Sequence, residues 1–424
     1  MSSAPEVAAV FHAAVGAGYS DLPTVVREDC KRSLLDVLAC CAAASPDDIW
    51  DVTTTDPVTS TLNNALRAHA GDFDPVHPRS HGHPAAMLFP ALLPYFASGR
   101  CSGADLVTAY GVGHEAMCVF GDVAGRALRN ARRHPTCLLG AIGVAVGVGR
   151  ILGLPAERMG AAAFLAATAT GGHAASFGSA AKAFQLAVAA RNGHSAAIAV
   201  ADGILDVAGS ARLLRDVLDG TPGCLDVRET AAFGEPWRVE SVATFHKPLA
   251  ICGYLITTVL GFANRLRGRV PSGVESVHAR VPWTVAAICR PGVPDTVDEA
   301  RFALAFLLSV CLVHPVDGFE SRFASLRRSA EITRLTSAAT VSHDPDCDDD
   351  GLVRIELHLR NAGPMRLRIP VGGDAEMLDG DRVVAAKWER HAASRLAGLA
   401  EATADLETMH GPDWWEILSG GAGR

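Results

Sequence analysis

Residues 135–152 read Pro135-Thr-Cys-Leu-Leu-Gly-Ala-Ile-Gly-Val-Ala-Val-Gly-Val-Gly-Arg-Ile-Leu152. Gly153-Leu154-Pro155 follows, and then a second Ala-rich run to Thr170. The pattern predicts a helical hairpin, Pro135 to Leu152 and Pro155 to Thr170, turning at Gly153-Leu154-Pro155. The side chains are small and apolar on all sides, so both helices belong inside a tight bundle rather than at its surface. The longest apolar run, Leu138–Val148, falls short of the roughly 20 residues that cross a bilayer.

Working outward, helical signals fill the first 265 or so residues. Asp21-Leu-Pro caps a helix through Val25–Ala44, Gly103-Ala-Asp-Leu-Val-Thr-Ala-Tyr opens another, and Ala183–Asp202 continues the series. The period changes after Gly268. Val274-Glu-Ser-Val-His-Ala-Arg-Val alternates as a half-buried strand does, and so do Leu352–Leu359 and Met365–Ile369, joined by a hairpin at Asn361-Ala-Gly-Pro. Val297–Val313 reads as a helix between them, and helix returns over Asp381–Leu399. The expected fold is mainly α: a large helical domain, residues 1–267, with a smaller α+β domain inserted at 268–380 and a helical return at 381–424. The acidic stretch Asp344–Asp350 is expected to be a solvated loop.

Composition narrows the function classes. The 424 residues are 49% hydrophobic and 20% charged, a core-forming balance, with a net charge of −8. No basic stripe suits nucleic acid. Arg126, Arg129, Arg132 and Arg133 are expected to form a solvated helix face. The eleven cysteines show no C-x-x-C pair, so reduced, mostly buried thiols and a cytoplasmic location are expected. The opening Met-Ser-Ser-Ala-Pro-Glu has neither a basic nor an apolar region of the signal-peptide kind. Only Lys31, Lys182, Lys247 and Lys387 are lysine, and the other 34 of the 38 basic residues are arginine. Where arginine serves as the general cation, a retained lysine stands out, because lysine can lose its proton on burial.

Four segments carry groups suited to chemistry. Gly71-Asp-Phe-Asp-Pro-Val-His-Pro-Arg-Ser-His-Gly-His-Pro is a loop with paired acid and imidazole groups able to exchange protons near neutral pH. The spacing matches no standard metal motif. His134 precedes the apolar helix opened by Pro135, where free N–H groups suit a carboxylate and would lower a histidine pKa. Lys182 stands alone in Ser176-Phe-Gly-Ser-Ala-Ala-Lys-Ala-Phe-Gln, and a lysine in such surroundings needs a carboxylate partner, a substrate or a lowered pKa. Lys247, in Phe245-His-Lys-Pro, precedes the apolar helix Ile251–Leu260.

Together and in this order, these segments resemble the MmgE/PrpD family, which includes 2-methylcitrate dehydratases, cis-aconitate decarboxylases and an iminodisuccinate epimerase. Further likeness lies in Asp21-Leu-Pro with Leu34-Leu-Asp-Val-Leu, in His134-Pro-Thr with Leu152-Gly-Leu, and in Lys387-Trp. The block Gly178-Ser-Ala-Ala-Lys with Ala189-Ala-Arg-Asn-Gly-His-Ser-Ala-Ala is similar to the family's most recognisable stretch. The resemblance implies a helical domain with an α+β lid, a homodimer, no cofactor and no metal. It implies catalytic Asp72, His83, His134 and Lys182, with Lys182, Lys247 and Gln185 holding a small polycarboxylate. The expected activity is a lyase, either dehydratase or decarboxylase. The alternatives are an epimerase or isomerase of a small dicarboxylate, and an inactive carboxylate-binding homologue. The sequence departs from the family pattern at Pro75, Gln185, Ile256 and Phe306, where a second acid, two histidines and an aromatic hydroxyl are usual.

Overall fold

Small residues decide how the first core is built. The Pro135–Ile151 helix is buried along nearly its whole length. It packs against the Gly103–Asn130, Ala181–Ala201, Ala156–Thr168 and Pro84–Ala97 helices. A Cβ on Gly113 would lie 2.8 Å from the Gly143 carbonyl oxygen, and one on Gly143 2.8 Å from that of Gly113. The two backbones touch because neither residue has a side chain. Ser102 starts the 28-residue helix Gly103–Asn130 with a capping box: its Oγ accepts from Asp105 N, and the Asp105 carboxylate accepts from Ser102 N.

The computed structural model describes residues 4–44, 49–50, 56–226, 232–267, 269–371 and 379–419. Among these the chain is mainly helical, with one four-stranded sheet. The expected limits at 268 and between 372 and 378 lie outside the described residues. The strands are β1 (Val274–Val281), β2 (Thr340–His343), β3 (Leu352–Leu359) and β4 (Ala362–Pro370). Their order is β2-β1-β3-β4, with β1 parallel to β2 and antiparallel to β3, and β3 antiparallel to β4. Val277 pairs with Leu357 and Ala279 with Ile355, which puts the buried side chains on one face. The register slips between Val274 and Ser276. This bulge lets Val274 and Val277, three residues apart, both face inward.

Two hydrophobic clusters result. One joins the helices before residue 240 to the chain from Ala392 to Leu418. The other joins one face of the sheet to the Gly253–Leu266, Leu304–Val313 and Ala330–Ala338 helices. The Gly380–His391 helix reconnects the chain to the first cluster through Lys387. Lys387 Nζ donates to the Asp36 carboxylate, with both groups buried, and to the Phe73 carbonyl at 2.9 Å.

Several expectations need correction. The acidic stretch is not a loop: Pro345–Asp350 is a helix, capped by Asp344, with Pro345 in its first turn and Gly351 in the left-handed conformation after it. Val297–Val313 is two helices, Val297–Ala300 and Leu304–Val313. At the break, the Arg301 carbonyl accepts from Cys252 N and the Phe302 carbonyl from Arg290 N. Asp381–Leu399 likewise holds one helix only to His391, and a second begins at Leu399. No helix among the described residues is long and apolar enough to cross a membrane.

Candidate active site

Buried charge collects on the loop after the Pro57–His69 helix. Asp72 adopts φ 47°, His81 φ 49° and Arg132 φ 57°. Among the described residues these are the only non-glycine residues with positive φ, and all three line one cavity of about 660 Å³. Such backbone costs about 1–3 kcal/mol per residue and persists where the surroundings impose it, often at functional sites.

Two buried lysines hold the backbone at Asp72. Lys247, fully buried, donates to the Asp72 carbonyl at 2.8 Å and to its Oδ1 at 2.6 Å. Lys387 holds the next carbonyl, that of Phe73. Lys182 comes from the first turn of the Ala181–Ala201 helix and reaches the same carboxylate from the cavity side. Its Nζ is 3.0 Å from Asp72 Oδ2 and 2.9 Å from His69 Nε2. The Oδ2 contact lacks hydrogen-bond geometry, so it is ionic and leaves Oδ2 a buried acceptor with no donor. Burial alone would raise the Asp72 carboxyl. The ammonium groups of Lys182 and Lys247, with His69 and His83 behind them, outweigh it and hold the group well below the usual carboxylate range.

Asp74 organises the histidines. Its Oδ1 accepts from His69 Nδ1 and its Oδ2 from His83 Nδ1, both at 2.8 Å. The two rings meet edge to face, 4.3 Å apart. Each neutral ring, with its Nδ1–H donating to Asp74, keeps a lone pair on Nε2. His69 offers that lone pair to Lys182. His83 Nε2 stands 3.9 Å from Asp72 Oδ1. Burial pushes the His83 pKa down to about 3 against the opposing pull of Asp74, and burial also lowers His69.

His134 completes the cavity floor from the other side. It precedes Pro135 at the start of its helix, but its side chain makes no capping hydrogen bond. Its Nδ1 lies 3.3 Å from Cys137 Sγ, and its ring meets Phe177 edge to face at 5.0 Å. Burial, then the charge of Lys182, drives its pKa well below the ordinary value. Desolvation thus does what the sequence led us to expect of the helix terminus. Asp72, His83, His134 and Lys182 line the cavity together, although they are spread over 110 residues of chain.

Residues 49–227 match the family profile described as the MmgE/PrpD N-terminal domain. Over that stretch the chain carries the N-terminal domain of the MmgE/PrpD family. A cis-aconitate decarboxylase of Aspergillus terreus is 25% identical to it, over 82% of each chain. A second, from Aspergillus terreus strain NIH 2624, is also 25% identical, over 86% of this chain and 85% of its own.

Other residues singled out by likeness to the MmgE/PrpD family stand elsewhere. Lys247 does not face the cavity; its bonds to Asp72 make it a prop behind the loop. Gln185 does not line the cavity either. Its Oε1 accepts from His173 N and Ser176 Oγ, bracing the segment that carries Phe177. Ile256 and Phe306 are fully buried in the sheet-side core. Arg126 is exposed, but the expected arginine face is not a helix face: the helix ends at Asn130, and Arg132 and Arg133 on the turn beyond line the cavity with Arg129. His69 and Asp74 were missed as a pair, because His69 closes a helix outside the loop. The signal was the spacing His69-x-x-Asp72-x-Asp74, which brings two acids back over the end of that helix.

Proposed function

We propose that the cavity is the active site of a cofactor-independent lyase, a dehydratase or decarboxylase. Its substrate is a small di- or tricarboxylic acid of the 2-methylcitrate or cis-aconitate kind. The observation that carries this reading is the pairing of Lys182 with two oppositely prepared imidazoles. His83 offers a lone pair on Nε2, because its Nδ1–H donates to the Asp74 carboxylate. The Cys137 thiol, pushed up to about 12 by burial, stays protonated 3.3 Å from His134 Nδ1, and with that thiol as the donor His134 carries its proton on Nε2. One ring is ready to take a proton and the other to give one.

In dehydration, a C–H bond next to a carboxylate breaks toward the base. Its electrons form the double bond, and the hydroxyl leaves with a proton from the acid as water. In decarboxylation, the bond to the carboxylate breaks, carbon dioxide leaves, and the acid protonates the carbanion. Either way negative charge grows on the remaining carboxylate, and Lys182 is positioned to offset it. The sheet-bearing unit, expected at 268–380, serves as a lid over this floor, and the chain works as a homodimer. The named relatives support the decarboxylase branch, and the pair of imidazoles also supports an epimerase that moves one proton between two faces of a carbon.

Incubation with citrate, 2-methylcitrate, cis-aconitate and iminodisuccinate, read by mass spectrometry, tests the proposal. The expected result is the loss of water or carbon dioxide from one of the acids. Unchanged mass for all four would contradict it. Solvent deuterium entering an acid of otherwise unchanged composition would select the epimerase instead.

A further inference from the structure

The floor just described accounts for a small part of the cavity. Around it stand Val76, Phe177, Phe245, Ile288, Phe302 and Val371. The apolar wall begins directly at the ionic floor: Lys182 Nζ lies 5.7 Å from the Phe177 ring centre and 5.8 Å from that of Phe302, and those rings stack 5.7 Å apart. Arg129, Arg132 and Arg133 lie on the lining as well, the last two exposed to solvent at the mouth. The order from outside inward is cations, hydrocarbon and aromatic wall, then the buried ionic floor.

A six-carbon triacid occupies the floor of this arrangement and leaves its apolar wall uncovered. The volume, about 660 Å³, is in the range of about 300–1,000 Å³ that encloses drug-sized ligands. A small, highly charged acid on Lys182 would leave most of it unfilled, with the face turned to Phe177 and Phe302 desolvated. A substrate with an alkyl or aryl arm satisfies both parts. Its carboxylates meet Lys182 and the imidazoles, and its arm covers the wall.

Building on the lyase reading of the same site, we propose that the substrate is a polycarboxylate bearing an extended apolar substituent, larger than a methyl group. The arm runs along Phe177, Phe302 and Ile288, and the mouth arginines draw the anionic end in from solvent.

Titration calorimetry with unreactive 2-alkylsuccinates, from unsubstituted succinate to the hexyl derivative, tests the proposal without requiring turnover. Affinity is expected to rise about three- to fourfold per methylene over the first several carbons. Ala287→Trp, which fills part of the same lining, is expected to flatten that rise. Affinity that is constant or falls with chain length overturns the proposal, and so does an unaltered slope in Ala287→Trp. Turnover of the matching 2-alkylcitrates, run in parallel, separates the two readings. A steep binding series without turnover removes the lyase assignment and keeps the substrate class, whereas turnover confined to the shortest acids does the reverse.

Discussion

Asp74 illustrates what single residues contribute here. It does not itself line the cavity, yet it fixes which nitrogen of His69 and of His83 holds the proton. Asp74→Asn keeps the shape but can donate as well as accept, which frees the rings to turn or change tautomer. It should lower kcat by roughly 10²-fold or more with KM little changed, as steady-state kinetics on the preferred acid will show. An equal rise in KM would mean that Asp74 acts on binding instead. Lys247 is a different case. Lys247→Met strands the buried Asp72 carboxylate on its far side, a change that costs about 3–5 kcal/mol in comparable buried pairs. Urea unfolding measures this, and a cost below about 1 kcal/mol would show that Lys182 alone suffices. The lysine count already pointed to such roles. Three of the four lysines are buried around residues 72–74, while Lys31 packs at the surface against Glu28 and Glu407. Residue type did not show which of them faces the substrate, because that depends on the direction of approach to Asp72.

At the scale of elements, the site loop sits where the Gly103–Asn130 helix makes room for it. A Cβ on Gly121 would lie 2.1 Å from the Arg79 carbonyl oxygen, and one on Gly125 2.0 Å from the His81 ring. Gly121→Ala therefore meets backbone that cannot rotate away. It should cost about 1–3 kcal/mol and reduce turnover by displacing residues 79–83. Parallel thermal melts and rate assays check this, and an unshifted melt with full activity would mean that the loop is not fixed by that helix. The buried helices were legible because small residues dominate both Pro135–Gly149 and Gly160–Thr170. Strand β2 was not. Thr340–His343 is only four residues long, mostly exposed, and held by parallel pairing to β1, so it lacks the alternation that announced β1, β3 and β4. The split at Arg301–Ala303 was equally hidden: no Gly or Pro marks it, and the break gives two carbonyls to Cys252 and Arg290.

The whole molecule carries an unusual number of histidines buried in neutral form. His77, His81 and His194 are pushed down to about 4 and His83 to about 3, in each case first by burial. These groups bind protons in the unfolded chain near pH 6.5 and not in the folded one, so the unfolded state takes up more protons below that value. Their contribution is fully present above about pH 6.5 and is lost as pH falls toward about 4 and then 3. The depressed Asp72 and Asp74 add a loss that begins near the ordinary carboxylate pKa and continues below it. The urea midpoint should fall steadily from pH 7 to pH 4.5, and an unchanging midpoint would mean that these histidines are hydrated. The change of period near residue 268 pointed to the strands but not to the edge of the sheet-side core, which also takes in side chains from Leu249 to Leu266. Nor did it point to the cavity between the two cores, because its lining gathers loop and helix residues whose approach depends on packing across both cores.

The central claim is that Lys182 and His134, joined through the Asp72 loop in one cavity, perform the chemistry. The most direct measurement is the turnover of the best acid by wild type, Lys182→Met and His134→Gln, each shown to be folded by its near-ultraviolet spectrum. The account predicts that each variant loses about 10²-fold or more in kcat. Wild-type turnover in either folded variant would contradict it.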